Sequence, residues 1–203
     1  SSMTIAQLQT HVFSDKMQNI EALRPLIQKA KNSGADLVCL PEMFNCPYET
    51  PNFPVYAEKA GGPVWQALSD LAKEFGIYFS AGSVPECDQD GHVFNTAYVF
   101  DRSGKQIARH RKVHLFDIDV KGGQYFKESD TLTPGDSATV FDTEFGKIGL
   151  CICFKKTKGS GRKGSIHKVS SPASYRSSGL VFTSSKTAWV LSGISPSGQE
   201  IFI

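Results

Sequence analysis

The stretch Ala35-Asp36-Leu37-Val38-Cys39-Leu40-Pro41-Glu42 decides the fold class of this chain. Ala35 to Leu40 is a short apolar run, ended by a proline and followed at once by a carboxylate. Such a run, with a helix stop before it and a proline after it, reads as a short strand in a chain that alternates strands and helices. The stop before it is Asn32-Ser33-Gly34. Further upstream, Ser14-Asp15 opens a helix whose apolar residues Met17, Ile20, Leu23, Leu26, Ile27 and Ala30 recur with a period of 3.6. Met3 to Gln9 begins the alternation as a short strand. Downstream, Pro63 starts a second helix with Val64, Leu68, Leu71, Ala72 and Phe75 on one face and Gly76 as its stop. Ile77 to Val84 reads as the next strand. Val93 to Phe100 and Gln106 to Arg111 read as a hairpin turning through Asp101-Arg102-Ser103-Gly104, and Ala138 to Phe141 and Lys147 to Cys153 as another pair.

Composition bounds what such a chain does. It has 203 residues, 40% hydrophobic and 21% charged, with a net charge of +2. That is ordinary globular material for one domain. No apolar stretch approaches the ~20 residues of a membrane span, and no basic-then-apolar leader opens the chain. The five cysteines show no metal-ligand spacing, which points to free thiols in a reducing compartment, so a cytoplasmic location is expected. The charge is unevenly spread. Residues 1–154 hold 14 Lys/Arg against 19 Asp/Glu, whereas residues 155–203 hold 8 Lys/Arg, Glu200 as their one acid, and 12 Ser. The run Lys155-Lys156-Thr157-Lys158-Gly159-Ser160-Gly161-Arg162-Lys163-Gly164 has no apolar period. It reads as a loop or linker over 155–168, because such a composition buries too little to offset its ordering entropy. It has no interleaved aromatic residues to stack bases, so nucleic acid is not an expected partner.

Three reactive side chains fall at strand ends. Glu42 follows Leu40, Lys112 follows the strand ending at Arg111, and Cys153 closes the strand that starts at Lys147. Ligands of open sheets bind beyond strand ends. An acid, an amine and a thiol are the parts of covalent acyl transfer, since a thiol needs a base and a nearby cation to react at neutral pH. Spacing alone leaves plainer readings open. Glu42 also fits a loop carboxylate or helix cap, and Lys112 a surface lysine.

The segments Leu40-Pro41-Glu42-Met43-Phe44, Arg111-Lys112-Val113-His114-Leu115-Phe116 and Gly149-Leu150-Cys151-Ile152-Cys153-Phe154 resemble the three ordered signatures of the nitrilase superfamily, the carbon–nitrogen hydrolases. Phe44-Asn45-Cys46-Pro47-Tyr48, His114 to Val120 and Ser129 to Asp136 are similar to the omega-amidase branch. The resemblance covers residues 3–154. It implies an α-β-β-α sandwich and the hydrolysis of a small linear amide, by this branch an omega-amide of a dicarboxylic keto acid. Cys153 is then the nucleophile that forms a thioester, Glu42 the general base, and Lys112 with the backbone N–H of Phe154 the oxyanion donors. Glu128 is implied as a supporting carboxylate that positions substrate and lysine, and Tyr48 as a substrate-facing residue. Glu128 and Tyr48 also fit plainer roles, solvated acid and packing. The family places its nucleophile directly before an aromatic residue, which selects Cys153 over Cys151. Cys151, Cys39 and Cys46 are then expected to pack, and His114 to be structural. No metal or organic cofactor is implied, and a homodimer is.

After Phe154 the pattern departs. Lys155 stands where the family has an Asp, and the basic Gly/Ser run replaces a helix. The chain is therefore read as the N-terminal part of a carbon–nitrogen hydrolase domain over 1–154, the loop 155–168, and an atypical tail 169–203. The sandwich is expected to be incomplete on its C-terminal side. The tail offers Leu180-Val181-Phe182, Ala188-Trp189-Val190-Leu191 and Ile201-Phe202-Ile203 as short strands. The competing expectation is a catalytically inactive family member, a pseudoenzyme or interaction partner that keeps the triad without a working pocket.

Overall fold

A computed structural model describes residues 3–152, 179–182, 187–192 and 200–202, the last three segments by their backbone. In chain order the elements are β1 (Ile5–Gln9), α1 (Lys16–Glu21), α2 (Leu23–Asn32), β2 (Leu37–Cys39), α3 (Asn52–Tyr56), α4 (Pro63–Phe75), β3 (Tyr78–Ser80), β4 (Val84–Cys87), β5 (Val93–Phe100), β6 (Gln106–Arg111), β7 (Asp117–Asp119), β8 (Tyr125–Lys127), β9 (Thr139–Thr143), β10 (Gly146–Ile152), β11 (Gly179–Phe182), β12 (Thr187–Ser192) and β13 (Glu200–Phe202). A 3-10 turn, Glu128–Asp130, follows β8.

The α/β alternation folds into two facing sheets. In the first, β1, β2 and β3 run parallel, β5 returns antiparallel, and β6 pairs along the far side of β5. β4 continues the line of β3 along β5, and β13 lies antiparallel against β1. The second sheet has the order β11-β12-β10-β9, with β10 parallel to β12 and antiparallel to β9. Side chains alternate across the first sheet, so each strand feeds two cores. Ala6, Leu8, Val38, Leu40, Phe79 and Phe100 meet the helices through Ile27, Leu68 and Leu71. Leu37, Cys39, Ala97 and Val99 face the other way, onto Phe141, Ile148, Leu150 and Ile152 of β9 and β10. Among the described residues the result is helix layer, sheet, sheet, three of the four layers of an α-β-β-α sandwich, consistent with the expected incompleteness on the C-terminal side.

Several details differ from the sequence reading. The first helix is two helices meeting at Ala22, because Pro25 has no N–H to give the Glu21 carbonyl and so interrupts the ladder. Its start stands where expected, with Asp15 Oδ1 accepting from the N–H groups of Met17 at 2.8 Å and Gln18 at 2.9 Å. The strand expected over Ile77–Val84 is split into β3 and β4 at Gly82, which is left-handed with φ +55°. The pair β7 and β8, too short to show a period, was missed, as was α3. Cys151 is half-buried, not fully packed as expected, because it lies on the opposite face of β10 from Ile148, Leu150 and Ile152. Cys39 and Cys46 are buried as expected.

At the end of the sandwich away from Lys112, one guanidinium joins the layers. Arg102 donates to Asp36 at 3.3 Å, to the Gly76 carbonyl at 3.3 Å and to Glu144 at 2.8 Å, while Tyr78 donates to the same Glu144 carboxylate. Asp36 precedes β2 in the first sheet, whereas Glu144 sits in the turn between β9 and β10 of the second.

Among the described glycines, Gly82 sits at the closest backbone approach. A Cβ built there would lie 2.0 Å from the Pro41 carbonyl oxygen, far inside contact distance. Gly34 is also left-handed, at φ +84°, but has nothing within 4 Å of that position. Gly82→Ala should therefore lose at least ~2 kcal/mol of stability, combining backbone strain with displacement of Pro41, and Gly34→Ala only ~1 kcal/mol. Urea unfolding of the two variants checks this, and equal losses would contradict the close-approach argument.

Candidate active site

Glu42, Lys112 and Glu128 are 70 and 16 residues apart in sequence. The sheet brings their starting points together. β2 and β6 point the same way, since β6 is antiparallel to β5 and β5 to β3. Glu42 and Lys112 both come just past the carboxyl ends of these strands. The β7–β8 hairpin then folds the chain back, and the Glu128 N–H donates to the Phe116 carbonyl at 3.1 Å. That return sets Glu128 beside Lys112.

Local backbone devices aim each side chain. The turn carrying Glu42 bends at Met43, whose φ of +51° is the single left-handed value among non-glycine described residues. Such a conformation strains an L-residue and persists where neighbours hold it. Ser83 is that neighbour: its Oγ accepts from the Met43 N–H at 3.0 Å, its carbonyl from the Phe44 N–H at 3.3 Å, and its N–H donates to the Pro41 carbonyl at 3.3 Å. Gly82 is needed to let the two segments approach so closely. Lys112 is held by its own backbone, whose N–H donates to the Asn95 carbonyl at 2.8 Å and whose carbonyl accepts from Gly135 N–H at 2.8 Å. A Cβ at Gly135 would lie 2.2 Å from the Arg111 carbonyl oxygen, so glycine is required there as well.

The three charged groups meet with almost no contact with solvent. Glu42, Lys112 and Glu128 are 3%, 1% and 0% exposed. Lys112 Nζ lies 2.8 Å from Glu42 Oε1 and 2.9 Å from Glu128 Oε1. Tyr48 donates its hydroxyl to Glu128 Oε1, and its ring stacks on Phe126 with centroids 5.5 Å apart. Asn95 Nδ2 donates to Glu42 Oε1 at 2.7 Å. Among the described residues, Oε2 of Glu42, Oε2 of Glu128 and Oδ1 of Asn95 are buried without a hydrogen-bond partner. Burial raises the Glu42 pKa above the usual carboxylate value, against the pull of the Lys112 charge. Burial also works to lower the Lys112 pKa, but Glu42 and Glu128 outweigh it and the ammonium is held more firmly than usual. One cation thus serves two buried carboxylates.

Of the residues singled out in the sequence, the structure gathers Glu42, Lys112, Glu128 and Tyr48 into one cluster. Cys153 and Phe154 lie outside the described residues, as does the loop 155–168. His114 is exposed. Asn95 was missed, although a visible signal marks it: it is an amide in the row Val93, Asn95, Ala97, Val99 along one face of an otherwise apolar strand. Elsewhere Glu86, 2% exposed, is matched by Arg111 at 2.8 Å and Thr96 at 2.8 Å, a satisfied structural pair. Asp88, Asp90 and His92 bring ligand atoms within 4.8 Å of one another in the turn between β4 and β5. Asp88 Oδ1 there accepts from the N–H groups of Asp90 and His92, the ordinary wiring of an Asx turn. Among the described residues no helix is long and apolar enough to cross a membrane.

Two sheets face to face, with an acid–lysine–acid cluster beyond the strand ends, define a nitrilase-type sandwich. The chain belongs to the carbon–nitrogen hydrolase family, whose pattern its residues 3–158 match. It is 48% identical over 154 residues to omega-amidase NIT2 of Mus musculus, covering 76% of this chain and 55% of that protein. It is 51% identical over 142 residues to a hydrolase of Schizosaccharomyces pombe, covering 69% of this chain and 44% of that one. The crystal structure of Saccharomyces cerevisiae Nit3, a member of branch 10 of the nitrilase superfamily, superposes with a TM-score of 0.64 at 36% identity, over 75% of this chain and 56% of Nit3. The chain spans about half the length of the curated relatives it matches.

Lys112→Met should expose the cost of the imbalance. With its cation gone, the cluster leaves two carboxylates buried, a change worth ~3–5 kcal/mol at pH 8. The Glu42 pKa, already raised in the folded state, would rise further. An acid whose pKa is raised on folding costs stability increasingly as pH climbs from its unfolded to its folded value, and costs none below the unfolded value. The deficit against the unmodified chain should therefore shrink at pH 5. Urea unfolding at both pH values checks this, and a deficit independent of pH would contradict it.

Proposed function

We propose that this chain supplies the nucleophile, base and lysine of a cysteine amidase that releases ammonia from small linear amides. The observation that carries the reading is the Lys112 ammonium held between the buried carboxylates of Glu42 and Glu128, in a chain where Cys153 follows directly on β10. In this reading Glu42 takes the thiol proton as the Cys153 sulfur bonds to the amide carbon. The tetrahedral oxyanion is met by Lys112 and the backbone N–H of Phe154, each such donor being worth roughly 3 kcal/mol of barrier. The C–N bond breaks as Glu42 returns the proton to the leaving nitrogen, and ammonia departs. Water then attacks the thioester while Glu42 takes its proton; the sulfur leaves and is reprotonated, freeing a carboxylic acid. Glu128 and Tyr48 keep the lysine oriented, and Tyr48 faces the substrate. The likeness to omega-amidases favours a monoamide of a dicarboxylic keto acid as substrate.

Ammonia release from such monoamides and from simple aliphatic amides tests this. The folded chain should release ammonia, Cys153→Ala should abolish release, and Glu42→Gln should slow it by ~10³. Glu42 works as a base only when ionised and burial raises its pKa, so kcat/KM should fall with decreasing pH along an acid limb above the usual glutamate range. A folded chain that releases no ammonia, or a Cys153→Ala variant as fast as its parent, would overturn the reading in favour of a non-catalytic family member.

A further inference from the structure

Asn95 joins the two halves of the cluster through one residue. Its backbone carbonyl accepts from the Lys112 N–H at 2.8 Å, and its side-chain Nδ2 donates to Glu42 Oε1 at 2.7 Å. It is fully buried, in a strand buried along its whole length, and an amide there carries a desolvation cost that the apolar residues beside it do not. The direction of the amide is fixed by chemistry, since turning Oδ1 toward a carboxylate would set two acceptors against each other.

The consequence lies in the two oxygens of Glu42. Oε1 accepts from both Asn95 Nδ2 and Lys112 Nζ, whereas Oε2 accepts from neither. A carboxylate oxygen that already takes two donors is the poorer proton acceptor, and its unbonded partner the better one. We propose that Asn95 is a positioning residue which, by occupying Glu42 Oε1 alongside Lys112, makes Oε2 the oxygen that takes up and returns the proton. This rests on the reading of Glu42 as the base. Asn95 does two things for that base: it fixes the rotation of the carboxylate, and it favours the ionised form by donating to it. Among the described residues, the other charged groups acting on Glu42 are Lys112, which also favours the ionised form, and Glu128, which opposes it.

The test is the titration of Glu42 itself, followed by carbon-13 NMR of glutamate side-chain carboxyls in the full chain and assigned by its loss in Glu42→Gln. This readout does not require amidase activity. In Asn95→Ala the Glu42 midpoint should rise by about one pH unit, a tenfold gain in proton affinity. In Asn95→Asp, which keeps the size of the side chain and the backbone bond to Lys112, a second acid replaces the donor and the midpoint should rise further. If the chain is active, the acid limb of kcat/KM should move by the same amount, with kcat reduced more than KM is raised. A Glu42 midpoint unchanged in either folded variant overturns the role of Asn95, whatever the activity. A midpoint that shifts in a chain releasing no ammonia supports the role of Asn95 and rejects the amidase reading alone.

Discussion

The architecture around the candidate site depends on one buried ammonium. Lys112 lies within hydrogen-bond distance of two carboxylates that are all but cut off from water. Removing charges from solvent is costly, and burial is repaid only where attraction and hydrogen bonding are close to complete. Here they are incomplete by design of the cluster: two acids share one cation, and each acid keeps one oxygen without a partner among the described residues. Glu86 shows the alternative in the same molecule. It too is buried, but Arg111 and Thr96 both donate to it, and Arg109 approaches at 3.6 Å. A buried acid matched by cations braces a fold, whereas Glu42, which shares its cation with a second acid, has its pKa raised by burial.

Backbone constraints also hold that imbalance in place. The strained Met43, the Gly82 crossing and the contact of Gly135 with Arg111 each remove a degree of freedom from a segment that carries a charged residue. Strain of this kind survives because the surrounding hydrogen bonds over-determine it. Ser83 makes three of them.

The fold class was legible because its signals are long and repeated: the 3.6-residue period before Asn32, the helix from Pro63 to Gly76, and the apolar strand at Leu37–Cys39. Glu42, Lys112 and Glu128 were legible through their flanking motifs, not through spacing, since proximity across 70 residues follows from the parallel run of β2 and β6, which no local pattern encodes. The break at Ala22 hides in one proline within a well-formed helical period. Asn95 stands out as an amide inside an apolar strand, but its role follows only from its partner Glu42, which no local pattern supplies. The β7–β8 hairpin that returns Glu128 is held partly by Asp117 accepting from Ser129 N–H at 3.1 Å and Oγ at 2.7 Å, a pairing invisible to periodicity.

The Arg102 junction gives the sandwich a mechanical asymmetry. Between the sheets the contact is apolar, through Val99, Ala97, Leu150 and Ile148, and salts excluded from protein surface tighten contacts of that kind. At the rim the two layers are tied by a half-exposed guanidinium bridging Asp36 and Glu144, and dissolved ions weaken such a tie within a Debye length of roughly 8 Å. The interlayer seam is thus closed by two forces with opposite responses to ionic strength, so a change of medium loosens its edge while leaving its centre shut.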